Sequence, residues 1–340
     1  MPFIKDIKKY RSISTIGLEK NVGKTVTMNY IIKRLVSEGV KVGITSVGVD
    51  GETMDVVTTT AKPEVTIYEG MMFATSENHY KMKRFQGDIL SVSEKATALG
   101  RVVIGKVLRE GKILLSGPSN SKWVKETIEE LLEKGMDTVI IDGALSRMSI
   151  GSPIVTDGII LSTGGAVSIN LNEVIKKTKH VIKLIDLDEI SSSKREVIEK
   201  LDDGIYKIVW EREEVEKLPI KSILSFSQLE QNVFQEECSL YITGAVTERF
   251  LDNISKQNFI KNVEVIVTDF TKIFSSTEVL NRFLKKGGRI KVLLKTNLIG
   301  VTVNPTSPAG YILNSEELIK KIKEFTNVPV VNLKEDGYVF

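Results

Sequence analysis

The sequence predicts an α/β protein with a doubly wound, mostly parallel sheet, and three observations support this. Short β-prone segments alternate with amphipathic helical segments over residues 12–185. Three of the β segments, 41–48, 137–144 and 157–165, are almost continuously apolar, as are strands of a parallel sheet covered on both faces. The first β segment runs directly into a glycine-containing loop and then a helical pattern, which gives a strand–loop–helix unit near the start of the chain.

The elements of this domain follow in order. The predicted strands are SISTI (12–16), KVGITSVG (41–48), DTVIIDGA (137–144) and DGIILSTGG (157–165). The predicted helices are TVTMNYIIKRLVSEG (25–39), SKWVKETIEELLEKG (121–135) and LNEVIKKTKHVIKLI (171–185). Apolar residues recur at helical spacing in each of the three, and Asn120 has the residue type and position of an N-cap.

Two regions interrupt the alternation. Residues 63–118 contain short alternating segments and predict a small β-rich insertion, with a turn at Arg109–Gly111 joining its last two strands. Residues 186–237 are charged and weakly periodic, so we assign them to a connector. Five β-like segments and one amphipathic helix then predict a C-terminal α/β unit over 238–340, after a first domain of residues 1–185.

Composition excludes several functional classes. Forty-seven basic and 44 acidic residues leave a net charge of +3, which provides no overall field for nucleic acid or an acidic membrane. No apolar stretch approaches the length of a membrane span. Cys238 is the single cysteine and cannot form an internal disulfide, so we expect a reducing, cytoplasmic location. His79 and His180 are isolated in the sequence, and we interpret both histidines and Cys238 as structural.

The stretch GLEKNVGKT, residues 17–25, ends like a phosphate-binding loop, although its first glycine lies one position too early for G-x-x-x-x-G-K-[ST]. In such loops, backbone N–H groups surround a phosphate at a helix N-terminus, a lysine neutralises its charge and a hydroxyl binds Mg²⁺. The strand before and the helix after are the required context. We therefore expect ATP and Mg²⁺ to bind here; the Asn-Lys-x-Asp signature of guanine recognition is absent. The residues assigned to the nucleotide are Gly17, Asn21, Val22, Gly23, Lys24 and Thr25.

The longer spacing resembles dethiobiotin synthetase, whose loop reads G-T-D-T-x-V-G-K-T, and the related MinD-like and cobyrinic-acid-amidase ATPases. This resemblance implies a P-loop NTPase fold over residues 12 to about 185. In the synthetases an acidic-Gly-Ala stretch at a strand end binds Mg²⁺, and IIDGA places Asp142 at that position. Thr25 and Asp142 are thus the expected metal ligands. Asp50 follows the second strand, where relatives carry a switch carboxylate; with Lys24 and Asp142 it completes the expected catalytic set.

Two departures separate the chain from these relatives. The synthetases carry Lys-Pro-Val after the second strand for their carbamate chemistry, where this chain has Ser46-Val47-Gly48, so we do not expect dethiobiotin synthesis. Members that form ATP-sandwich dimers carry an early loop lysine, where this chain has Glu19 with Lys20 beside it. Lys20 is adjacent to the position of that lysine but not in register with it, and a homodimer stays open as an alternative.

The stretches DGETMDVVTTTAKPEV (50–65), DGALSRMS (142–149) and VTDGIILSTGGAVS (155–168) resemble the reactivase subunit that accompanies lysine 5,6-aminomutase. This resemblance implies an ATPase that exchanges a damaged cofactor in an adenosylcobalamin-dependent aminomutase, together with a second reactivase subunit. From the residues alone, three functions stay open. They are an ATP-driven switch for a protein partner, an ATP-dependent synthetase acting on a small carboxylate or amide acceptor near Lys62, and a catalytically silent nucleotide sensor.

Overall fold

In a computed structural model the chain divides into two compact units, and residues 3–48, 64–143, 151–220 and 236–334 are described. The first unit comprises Met1–Lys179 with Asn297–Phe340, and the second comprises His180–Thr296. The protein is α/β, and its largest sheet is mixed but mostly parallel. In the described ranges, no helix has both the length and the apolar character needed to cross a bilayer.

In its described residues, the first unit is built on a ten-stranded sheet. Its strands are β1 (Ser12–Gly17), β2 (Val42–Ser46), β3 (Val65–Ile67), β4 (Met72–Ser76), β5 (Arg84–Thr97), β6 (Gly100–Ile113), β7 (Thr138–Asp142), β8 (Gly158–Gly164), β16 (Asn297–Asn304) and β17 (Val330–Val331). Its helices are α1 (Ile4–Ile7), α2 (Lys24–Ser37), α3 (Glu77–Lys81), α4 (Ser121–Glu133), α5 (Leu171–Ile185, ending in the second unit) and α9 (Ser315–Lys323).

The sheet order is β17-β16-β8-β1-β7-β2-β4-β6-β3, with β5 paired to β6. Strand β1 lies near the middle, parallel to β7 on one side and to β8 on the other. All six of its residues are buried. The four strands predicted for the parallel core are confirmed, and their carboxyl ends share one edge of the sheet.

The two faces of the sheet pack against different helices. On β7, Ile140 joins the core cluster that contains the apolar residues of α2, whereas Val139 and Ile141 join the cluster that contains those of α4. This alternation follows from the two-residue period of a strand. The predicted N-cap is also confirmed, since the Asn120 side chain accepts a hydrogen bond from the Trp123 backbone N–H at 3.0 Å.

The region predicted as a small β-rich insertion extends the main sheet. Strand β4 runs parallel to β2, and β6 runs antiparallel to β4, β3 and β5. The predicted turn at Arg109–Gly111 is wrong, because β6 is continuous there. Its Arg109 pairs with Gln86 and its Gly111 pairs with Ile67. The chain reverses instead just before Gly100, which has a left-handed φ of 92°.

The C-terminal segment returns to the first unit. Strand β16 is parallel to β8 over almost its whole length, and β17 is parallel to β16. The predicted unit over 238–340 is therefore divided between the two observed units. The described part of residues 186–237, a range predicted as a connector, contributes a helix and two strands to the second unit.

The second unit contains α6 (Ser192–Ile198), β9 (Ile205–Val209), β10 (Glu214–Lys217), β11 (Cys238–Ile242), β12 (Val246–Thr247), α7 (Glu248–Ile254), β13 (Val263–Val267), β14 (Ile273–Phe274), α8 (Thr277–Lys285) and β15 (Arg289–Val292). Its main sheet has the order β10-β9-β11-β13-β15. Strands β11, β13 and β15 are parallel to one another, and β9 is antiparallel to β11.

Candidate functional site

The loop between β1 and α2 is held in an unusual backbone conformation. Asn21 and Gly23 both have left-handed φ values, 63° and 95°. Gly23 is the residue before α2 and makes no side-chain cap, so no side chain of its own covers the helix N-terminus. Glycine and asparagine tolerate this region better than other residues. The sequence therefore permits the loop to wind around the start of the helix.

The packing around Gly17 explains why the first glycine of the loop lies at this early position. A Cβ atom on Gly17 would lie 2.6 Å from Val22 Cγ2 and 2.8 Å from both Cγ and Cδ of Lys24. The Lys24 side chain therefore folds back from the start of α2 across the end of β1. Only a residue without a side chain leaves room for that path, so glycine is required here by the packing of Lys24 and not by the turn itself.

Lys24 and Thr25 begin α2 and are half-buried. Among the described residues, neither the Lys24 ammonium nor the Thr25 hydroxyl has an ion-pair or hydrogen-bond partner. A helix N-terminus carries partial positive charge from its exposed N–H groups. An ammonium and a hydroxyl without partners beside it form an environment that favours an anion.

Asp142 is the last residue of β7, in register with Thr15 on β1 and Ser46 on β2. It therefore lies at the same sheet edge as the loop, on the strand next to β1. Its backbone oxygen accepts bonds from the Val47 N–H and the Ser46 hydroxyl, each at 3.3 Å. Its Oδ1 is buried and has no hydrogen-bond partner among the described residues. Since burying an unpaired carboxylate oxygen is costly, this position favours a cation.

A buried group of three hydroxyls fixes α2 over the sheet. Thr27 Oγ1 and Ser162 Oγ each lie 2.8 Å from Thr302 Oγ1, and Thr27 Oγ1 also donates to the Gly23 carbonyl at 3.2 Å. Thr27 belongs to α2, Ser162 to β8 and Thr302 to β16. The first turn of the helix is thus tied to two strands, which holds the loop at a fixed height above the sheet edge.

Asn304, at the end of β16, is a site residue that sequence reasoning missed. Its amide Nδ2 donates to the Asn21 carbonyl at 3.3 Å, and a Cβ atom on Gly23 would lie 3.3 Å from its Cβ. It braces the left-handed part of the loop. The signal was its position before Pro305 at the end of an apolar strand. That β16 pairs beside β8, close to the loop, could not be read from this signal.

A narrow cavity of about 20 Å³ lies beside the loop, lined in part by Val22, Gly23, Asn304 and Lys334. This volume holds about one water molecule. A nucleobase therefore does not fit there in this arrangement, and we assign no residue to base recognition.

The predicted site residues are thus largely brought together. Gly17, Asn21, Val22, Gly23, Lys24 and Thr25 form the loop, and Asp142 lies at the end of the next strand. Asp50 and Lys62 lie outside the described residues. Glu19 and Lys20 are exposed, and the Lys20 backbone N–H donates to the Glu19 carboxylate at 3.0 Å.

The capacity of the site for a metal ion depends on its oxygen donors. Groups of three or more His, Cys, Asp or Glu placed to hold a metal do not occur in the described part of the chain. Magnesium, however, takes one or two protein ligands together with phosphate oxygens and water. Thr25 and Asp142 fit that mode. In comparisons with known proteins, no family model, curated protein or solved structure matches the chain.

Proposed function

We propose that this protein is a P-loop ATPase that binds ATP with Mg²⁺ and uses hydrolysis to change its affinity for a partner protein. The observation that carries the proposal is that two polar groups without partners in the described part of the chain occur at the same edge of the sheet. The Lys24 ammonium has no partner among the described residues, and neither does the buried Oδ1 of Asp142. Opposite charges without partners on neighbouring elements match a ligand that carries both phosphate and a cation.

Each residue has a physical role in this proposal. Backbone N–H groups of the loop and of the first turn of α2 receive the phosphates, and Lys24 neutralises their negative charge. Gly17 leaves the Lys24 side chain its path, and Asn304 holds the loop in its left-handed form. Thr25 and Asp142 would hold the magnesium ion, which when bound offsets the charge that develops on the transferred phosphoryl group.

The end of β2 favours a switch over a synthetase. The synthetases carry a lysine here, whereas this chain has Ser46 and Val47, which are uncharged and therefore offer no cationic group to an acceptor. Both are buried and donate hydrogen bonds to the backbone oxygen of Asp142. Residues 49–63, which include Asp50 and Lys62, come directly after Gly48 in the chain. We propose that Asp50 responds to the γ-phosphate and that isolated hydrolysis is slow.

Nucleotide binding is tested by calorimetric titration of ATP with Mg²⁺ into the wild type and Lys24→Ala. We expect the variant to lose tenfold or more in affinity, because a charge-assisted hydrogen bond contributes about 1.5–3 kcal/mol. Lys33→Ala is the matched control, since Lys33 is exposed on the same helix. Equal affinity of wild type and Lys24→Ala would remove the proposal.

For the partner we propose an adenosylcobalamin-dependent aminomutase. A purified aminomutase loaded with a damaged cobalamin is mixed with this protein, the second reactivase subunit, ATP and intact cofactor. We expect enzyme activity to return with the wild type and not with Lys24→Ala. If no activity returns while a small carboxylate stimulates hydrolysis and becomes ligated or phosphorylated, the protein is instead an ATP-dependent synthetase.

A further inference from the structure

A second, separate cavity lies within the second unit, where β11, β13 and β15 begin. It has a volume of about 260 Å³. Its lining includes Trp210 after β9, Ser239 on β11, Glu264 on β13 and Arg289 on β15. Ser239 is in register with Glu264, which is in register with Arg289, so these three side chains share one face of the sheet.

Glu264 is the unexpected residue of this cavity. Every residue of β13 is buried, and the other four are valine or isoleucine. Only Glu264 and Asp269 among the described carboxylates are buried. Asp269 is satisfied locally by the backbone N–H and hydroxyl of Thr271. A buried carboxylate is costly unless it is well paired, so Glu264 requires a separate explanation.

The side chains that contact the Glu264 carboxylate lie farther from it than in a usual charge-assisted hydrogen bond. The Ser239 hydroxyl donates to Oε2 at 3.4 Å, and the Lys291 ammonium lies 3.5 Å from Oε1. The Trp210 indole N–H donates to the same Ser239 oxygen at 2.7 Å, which leaves the hydroxyl proton for Glu264. Charge-assisted hydrogen bonds are usually about 2.7–2.9 Å long. The carboxylate thus retains capacity for a shorter bond from a ligand cation.

The rest of the lining carries both signs of charge, from Lys194 and Arg289 and from Glu211 and Glu237. Arg289 has 43% of its side chain exposed and pairs with Glu237, which is 72% exposed. Glu264, in contrast, exposes only 11% of its side chain and forms the floor. The Lys194 ammonium lies 4.7 Å from the centre of the Trp210 ring, so the aromatic wall already accommodates a cation. The hydrogen bond to Glu237 uses only the Nη2 atom of Arg289, and a guanidinium has five N–H donors, so Arg289 can also bind a ligand anion. A ligand with a positive group toward Glu264 and a negative group toward Arg289 therefore matches the cavity.

Covalent chemistry is not supported by the one thiol in the lining. Burial raises the pKa of Cys238 to about 11, so the thiol is protonated at neutral pH and contributes an apolar wall. A divalent metal is also not favoured, because no group of three ligating side chains occurs within the described ranges. Reversible binding of an organic molecule is what these side chains support.

We propose that this cavity binds a free amino acid, with its ammonium group on Glu264 and its carboxylate toward Arg289. The volume is slightly below the roughly 300–1,000 Å³ typical of drug-sized ligands, which suits a small metabolite. This assignment concerns the second unit alone and does not depend on the nucleotide site.

Saturation-transfer NMR on the full chain tests the proposal with three mixtures: the proteinogenic L-amino acids, short primary alkylamines, and short carboxylates. We expect transfer to at least one amino acid, and weaker or no transfer to the other two mixtures. The responding amino acid is then titrated by calorimetry. Glu264→Gln should weaken it about tenfold or more, because a charged partner is lost without a change of shape.

Glu196→Gln is the matched control, since Glu196 is exposed on α6 and does not line the cavity. Should Glu264→Gln fail to give the wild-type circular dichroism spectrum, Arg289→Gln decides instead, because Arg289 lies at the exposed rim and its loss removes the carboxylate partner. The proposal is overturned if no amino acid receives transfer, if amines or carboxylates bind as tightly, or if folded Glu264→Gln or Arg289→Gln binds as the wild type does.

Discussion

Replacing Gly17 by alanine isolates the geometry of the proposed phosphate site. The added methyl carbon would lie 2.6 Å from Val22 Cγ2 and 2.8 Å from two carbons of the Lys24 stem. Val22 is only 1% exposed and its β-branched side chain is stiff, so the lysine stem is the group that moves. The substitution therefore displaces the Lys24 ammonium while leaving its charge in the protein.

Two effects of this change differ in size. Overpacking costs about 1–3 kcal/mol of stability, and loss of glycine flexibility in the unfolded chain returns about 0.4–1 kcal/mol, so the net destabilisation is at most about 2.6 kcal/mol. Displacing the ammonium removes an interaction of about 1.5–3 kcal/mol with phosphate, or roughly ten- to a hundredfold in ATP affinity. The free energy of ATP binding should thus change more than the free energy of unfolding.

A double-mutant cycle by calorimetric titration of ATP with Mg²⁺ checks this reasoning. In the Lys24→Ala background, Gly17→Ala should change affinity by no more than about 0.5 kcal/mol, because the group on which it acts is gone. Gly244→Ala is the matched control, since nothing lies within 4 Å of a Cβ atom there. If Gly17→Ala binds ATP as the wild type does while Lys24→Ala does not, the path of the lysine across Gly17 is irrelevant to binding.

Individual contacts give three further predictions. Asp142→Asn should retain most ATP affinity but lose most turnover in a phosphate-release assay, whereas Asp137→Asn, just before the other end of β7, should leave both unchanged; full turnover in Asp142→Asn contradicts the assignment. Asn304→Ala removes one neutral hydrogen bond to the loop, worth about 0.5–1.5 kcal/mol, so titration should show two- to tenfold weaker ATP binding, and unchanged affinity argues against the brace. Because burial raises the folded pKa of Cys238 from 9.0 to about 11, its stabilising contribution is fully present below pH 9 and is lost as the pH rises toward 11. Thiolate absorbance should titrate near 11 in the folded chain and near 9 in urea, and a folded midpoint near 9 would refute this.

Local patterns in the sequence were enough to predict the core of the first unit. Apolar runs predicted β2, β7 and β8, and a β-prone segment directly before the glycine loop predicted β1. Helical spacing predicted α2, α4 and α5, because buried strands and amphipathic helices are encoded by neighbouring residues. The same patterns placed Asp142 at a strand end and Lys24 at a helix start. Since parallel strands end at a common edge, the placement of both residues at the same edge of the sheet was also predictable.

Pairing between distant segments was decided only by the tertiary structure. Nothing in residues 297–304 indicates that they pair with β8, yet that pairing brings Asn304 to the loop and divides the predicted C-terminal unit. Likewise, Arg109–Gly111 has turn-forming residues but is held extended by partners on both sides. A local sequence pattern specifies which face of a strand is apolar, whereas the choice of neighbouring strand depends on the packing of the whole sheet.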